Sequence, residues 1–76
     1  MKLHLGGQFS FYLAGNPHQV ELQLDEPTRL SQVLDRLGIP LAEIHIVVVN
    51  GELVDLQEAW VSQQDEVKLY PPVSGG

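Results

Sequence analysis

Apolar and polar residues alternate from the first position of the chain. Met1, Leu3 and Leu5 share one face and Lys2 and His4 the other, the period-two pattern of a half-buried strand. Gly6-Gly7 interrupts it, and Phe9, Phe11 and Leu13 resume the same phase. Either one long bulged strand or a strand followed by an irregular segment accounts for this. A strand reaching residue 13 would be unusually long, so the pattern predicts a break near Gly6. Ala14 to His18 reads as a turn. Val20, Leu22 and Leu24 then alternate with Gln19, Glu21 and Gln23 in the clearest strand of the chain, ended by Asp25-Glu26-Pro27.

The period then changes. Leu30, Val33, Leu34 and Leu37 fall at helical spacing, with Arg29, Gln32, Asp35 and Arg36 on the wet side, predicting an amphipathic helix of about nine residues. Thr28 stands where an N-cap would, Gly38 where a left-handed C-terminal residue would, and Pro40 prevents resumption. Leu41 to Ile44 is at most a single turn. Ile46 to Val49 is a continuous apolar run, read as a strand covered on both sides or at a crowded edge, and Asn50-Gly51 is a hairpin turn returning into Glu52-Leu53-Val54. Leu56, Trp60 and Val61 are expected to anchor an irregular stretch into the core. Gln63 to Glu66 is a polar turn, and Val67 to Tyr70 a final short strand. The order is strand, strand, helix, strand, short strand, strand. With one helix on one face of a mixed sheet, it predicts an α+β fold.

Composition narrows the chemistry. Seventy-six residues make one small domain. With no cysteine there is no disulfide framework, zinc-thiolate site or thiol nucleophile, and any sulfur handled here cannot start from a side chain. The net charge of −6 repels phosphate backbones and anionic lipid, so neither nucleic acid nor membrane is an expected partner, and a basic protein surface is. No apolar run approaches a membrane span and no signal peptide is evident, which fits a cytoplasmic location. His4, His18 and His45 lack metal-ligand spacing. The acids are scattered or paired in turns, the serines lack an activating motif, and Gly6-Gly7 lacks the spacing and lysine of a phosphate loop. No side-chain constellation looks like an enzyme's own active site, and no bound cofactor or metal is expected.

What remains is the end of the chain. After Tyr70, Pro71 and Pro72 have no N–H to continue a ladder and hold φ near −65°, so the chain must leave the sheet extended. Val73, Ser74, Gly75 and Gly76 follow. Extended, residues 71 to 76 reach roughly 20 Å at ~3.3–3.6 Å per residue, enough to enter another protein's active site. Glycines contribute nothing to the fold there, but they pass through a channel too narrow for any side chain, and a glycine carboxylate is unhindered. A frayed chain end is the alternative. The division expected is a domain over residues 1–70 and a flexible tail over 71–76.

The ending Tyr70-Pro71-Pro72-Val73-Ser74-Gly75-Gly76 resembles that of the MoaD/ThiS family of small ubiquitin-like sulfur carriers, and within it most nearly the molybdopterin synthase small subunit. Thr28, Leu37-Gly38-Ile39-Pro40, Val49-Asn50-Gly51 and Asp65-Glu66-Val67 extend the resemblance over nearly the whole chain. Gln64 departs from it, standing where the family usually has a glycine before the last strand. Residues 6 to 13 also match poorly.

The resemblance implies a ubiquitin-like β-grasp fold and a cycle run by partners. An E1-like adenylating and sulfur-transferring enzyme would use ATP and magnesium to activate the Gly76 carboxylate. A persulfide sulfur would replace AMP to give a thiocarboxylate. A synthase large subunit would then accept the tail and its sulfur, in molybdenum or tungsten cofactor biosynthesis. Leu69, Tyr70, Pro71, Pro72, Val73, Ser74 and Gly75 would contact partners, Leu69 or Tyr70 forming the docking patch with neighbouring sheet residues. The free protein would be a monomer. A thiamine-type carrier, a protein modifier joined through Gly76 and a plain interaction module remain open.

Overall fold

The computed structural model describes residues 1–72. Strand β1 (Lys2–Leu5) ends at Gly6, where a 3₁₀ helix spans Gly7–Tyr12. The break expected at the glycines is therefore real. Strand β2 (Gln19–Glu21) runs antiparallel to β1. It is shorter than its alternation predicts. Leu22 gives its carbonyl to the Met1 ammonium and its amide to the Met1 carbonyl, closing the ladder there.

The helix start differs from the expectation. Thr28 does not cap it: Thr28–Arg29 forms a short strand, β3, and helix α1 spans Leu30–Arg36 with no side-chain cap on its first turn. The Thr28 hydroxyl donates to the Glu26 carbonyl, and β3 pairs antiparallel with β6 (Trp60–Val61). The Leu30 amide, one of the orphan donors at the helix start, finds the Ala59 carbonyl at 3.0 Å. A partner distant in sequence thus replaces the local cap. The C-terminus follows expectation: Gly38 has φ +78°, and its amide and that of Ile39 close onto Asp35 and Leu34 carbonyls.

Beyond a 3₁₀ turn at Leu41–Glu43, strand β4 (Ile46–Val49) turns through Asn50 (φ 51°) and Gly51 (φ 85°) into β5 (Glu52–Val54). Both positive φ values belong to the tight turn that Asn-Gly favours. The last strand, β7 (Glu66–Tyr70), lies parallel to β1 and antiparallel to β4, giving the sheet order β2-β1-β7-β4-β5. Parallel pairing of the first and last strands, with one main helix on one face, is the β-grasp arrangement.

Leu3, Leu5, Val47, Val67 and Leu69 from the sheet meet Leu30, Val33, Leu34, Ile39, Phe9 and Val61 in one core. At about 25 cal/mol per Å² of apolar surface buried, this core has to hold a helix too short to stand alone. Trp60, expected inside, is 56% exposed. Its partner across the β3–β6 pair is Arg29, whose guanidinium sits 5.2 Å from the ring centroid. Val61, next in the strand, takes the inward place.

Candidate functional site at the root of the tail

The end of β7 is held from both sides. The Leu69 carbonyl accepts from the Gly6 amide at 3.0 Å, and the Tyr70 carbonyl from the His45 amide at 3.0 Å. Pro71 has no donor with which to extend either ladder, so strand structure stops at Tyr70, as its sequence requires. Pro71 is half-buried and Pro72 exposed. Val73, Ser74, Gly75 and Gly76 lie outside the described residues.

The period of two decides which side chains β7 offers to a partner. Val67 and Leu69 point inward and are fully buried, whereas Glu66, Lys68 and Tyr70 point outward. Leu69 is therefore a core residue and cannot form a docking surface, correcting one of the two residues expected there. Tyr70 faces outward and is 42% exposed.

The outer face divides along the strand order. Tyr70 stands opposite Ile46, and Lys68 opposite Val48, which in turn faces Leu53 on β5. Ile46, Leu53 and Tyr70 are exposed apolar groups clustered on the β7-β4-β5 side. The β2-β1 side is charged: Lys2 lies between Glu21 and Glu66, and His4 bonds Glu66 at 3.1 Å. The His4 hydrogen bond is the main cause of a Glu66 pKa below its ordinary value, helped by Lys68 and Lys2. Pro71 and Pro72 thus follow the sheet beside an apolar patch with Lys68 at its border. The pattern of Ile46 to Val49 conceals this, because a continuous apolar run does not say which residues face out.

Among the described residues no group of three or more His, Cys, Asp or Glu could hold a metal ion. A surface depression of about 470 Å³ lies at the far end of β7, lined by Met1, Lys2, Glu21 and residues 63–66. No helix among the described residues is long and apolar enough to cross a membrane.

The arrangement has known relatives. The sequence model of the ThiS family matches residues 10–76. A crystal structure described as thiamine biosynthesis protein (ThiS) from Geobacter metallireducens is 22% identical and superposes with a TM-score of 0.60, covering the whole of both chains. A solution structure of a thiamine biosynthesis protein from the same organism is 23% identical, with a TM-score of 0.54 over all of this chain and 88% of the other. At those identities the two structures show the fold. No curated protein matches the sequence significantly.

Proposed function

We propose, from the premise that the chain belongs to the ThiS family, that this sulfur carrier does its chemistry through the Gly76 carboxylate. Partners supply every catalytic group. The observation that supports this is the root of the tail: Leu69 and Tyr70, whose carbonyls accept from the Gly6 and His45 amides, hand the chain to Pro71-Pro72 beside the exposed Ile46 and Leu53. Docking there leaves residues 71 to 76 a reach of roughly 20 Å into a partner.

A free carboxylate is a poor acyl donor. An E1-like enzyme binding magnesium and ATP converts it to a good one: a Gly76 carboxylate oxygen attacks the α-phosphorus and pyrophosphate leaves. The terminal sulfur of an enzyme persulfide then attacks the acyl carbon and displaces AMP. A second thiol cleaves the resulting acyl disulfide, leaving the Gly76 thiocarboxylate and an oxidised thiol pair. The thiocarboxylate sulfur attacks an electrophilic carbon of an acceptor held by a synthase, and water hydrolyses the resulting thioester, leaving the sulfur on the acceptor and Gly76 as the carboxylate. Val73, Ser74 and Gly75 would be tail residues that the partner contacts. The carrier is monomeric when free.

For the acceptor, the family match and both solved relatives support the thiamine-type reading over the molybdopterin one. The second reading rests on one specific feature, the Tyr70-Pro71-Pro72-Val73 ending that resembles molybdopterin synthase small subunits.

Incubation with the host's activating enzyme, ATP, magnesium and a sulfur donor tests both levels. Intact mass should show one oxygen replaced by sulfur, mapped to the C-terminal peptide. A residue added after Gly76 should abolish the change, since the reacting carboxylate becomes an amide. Equal conversion of the extended protein would falsify the carrier mechanism. Offering the thiocarboxylate separately to thiazole-forming and molybdopterin-forming synthases decides the acceptor, with transfer expected to the first.

A further inference from the structure

We infer that Gly6 and Gly7 are positioning residues for the tail, a two-glycine clasp that sets where Pro71 leaves the sheet and hence how the chain beyond it is delivered to the activating partner. The inference rests on the carrier reading and adds residues distant from the tail in sequence.

Gly6 lies in extended backbone, φ −76°, and its amide holds the Leu69 carbonyl at 3.0 Å. A methyl group added to it would stand 2.6 Å from that carbonyl oxygen and 3.2 Å from Tyr70 Cδ1. Only hydrogen fits on that side of the strand end. Gly7 has φ +54°, and a methyl added there would stand 2.7 Å from Pro71 Cγ and 3.3 Å from Cδ. One glycine therefore abuts the last residues of the strand and the next abuts the first proline of the tail.

The clasp is anchored. The Gly6 carbonyl accepts from the Phe9 amide at 3.2 Å, and Phe9 is completely buried in the core. The Tyr12 hydroxyl donates to the Glu43 carboxylate, tying the far end of the same 3₁₀ helix to another part of the chain. Gly15, Gly38 and Gly51 differ instructively. They also have positive φ, but a methyl group at any of them meets nothing within 4 Å. Gly7 combines the left-handed backbone with close approach to the tail. Pro71 fixes its own φ, so a shift of its ring redirects the chain that follows.

Gly7→Ala and Gly38→Ala separate the two properties, because both place a methyl on a left-handed backbone and only the first meets Pro71. In the free protein, nuclear Overhauser contacts from the Gly7 α-protons to the Pro71 ring should be present in wild type and in Gly38→Ala. With the activating enzyme, Gly7→Ala should lower kcat for adenylation about tenfold or more, since misplacing a reacting group by about 1 Å costs on the order of 10²-fold. KM should stay within about twofold, because the docking patch is intact. Gly38→Ala should keep its kcat. Pro71→Ala removes the contact from the tail side without straining Gly7, and serves if Gly7→Ala does not fold. It should also lower kcat. The double variant, in which the methyl introduced by Gly7→Ala fills the space left by the ring, should recover part of the loss, a non-additivity that a general loss of stability does not produce. Wild-type kcat in either single variant, or equal loss in Gly38→Ala, overturns the clasp alone. Wild-type protein that is not converted at all overturns the carrier reading, and the clasp's delivery role with it.

Discussion

The His45 amide donates to the Tyr70 carbonyl at 3.0 Å, the last hydrogen bond of the β4–β7 ladder before Pro71. Everything the domain needs for its sheet is complete at that bond. Among the described residues, truncation after Tyr70 removes none of the buried core; it takes away the half-buried Pro71 and the exposed Pro72. Denaturant unfolding of the truncated protein should fall within about 1 kcal/mol of the full chain, the ordinary range for changes outside a core. A loss of several kcal/mol would show that the tail packs back on the sheet.

Leu34 is fully buried beneath the sheet, between helix and strands. Leu34→Ala should destabilise by ~2–5 kcal/mol, the transfer term plus the cavity left behind. Trp60 gives the contrast. Although larger, it is mostly exposed and touches Arg29 through its ring face. Trp60→Ala should cost about 1 kcal/mol or less, the scale of an exposed cation–π contact. Chemical denaturation of the two variants side by side checks both, and an equal cost would place Trp60 in the core after all.

The Asp65 carboxylate accepts from Asn50 Nδ2 at 2.9 Å and from the Ser62 amide and hydroxyl at 2.8 and 3.3 Å. The Asn50 bond is the largest cause of a pKa held below its usual 3.8, against a partial opposing effect of burial. A folded-state pKa below the unfolded one stabilises the protein above the unfolded value. That stability is lost as pH falls through the folded value. Asn50→Ala should therefore raise the Asp65 pKa, read by carboxyl NMR titration, and move acid unfolding to higher pH. An unchanged titration would mean that the Ser62 bonds alone hold the carboxylate.

Leu53→Asp and Ile46→Asp put a charge into the exposed apolar patch. Affinity for the activating enzyme, measured by calorimetry, should fall about tenfold, equivalent to 1.4 kcal/mol. Leu53→Asp should leave stability within about 0.5 kcal/mol, its side chain being 75% exposed. Glu21→Gln, on the charged half of the sheet, is the control and should bind normally. Unchanged binding by both aspartate variants would move the docking surface elsewhere.

The elements that a local pattern specifies are legible in the sequence. These are the alternating β1, the Asn50-Gly51 hairpin, the Gly38 helix stop and the β7 strand broken by Pro71. Those decided by a distant partner are not. Thr28 looks like a cap until Val61 pairs with it, and Trp60 looks like core until the same pairing turns its ring toward Arg29. Leu69 was decidable: sharing the phase of Val67, it had to point inward. The clasp left a trace in Gly6-Gly7, two adjacent glycines interrupting an otherwise unbroken phase. Their sequence marks a break but not the strand end and proline that the break accommodates.

The central place of β7 has a consequence for how the protein is made. In the order β2-β1-β7-β4-β5 it alone joins the β1–β2 pair to the β4–β5 hairpin, and it is translated after both. Until residues 66–70 leave the ribosome the sheet exists at most as two separate two-stranded pieces, and such pieces are marginally stable in water. A chain that stops short of β7 has no route to the native sheet and remains a substrate for proteolysis. Folding thereby acts as a check on synthesis: each molecule that survives has been read through to the residues that bear its tail.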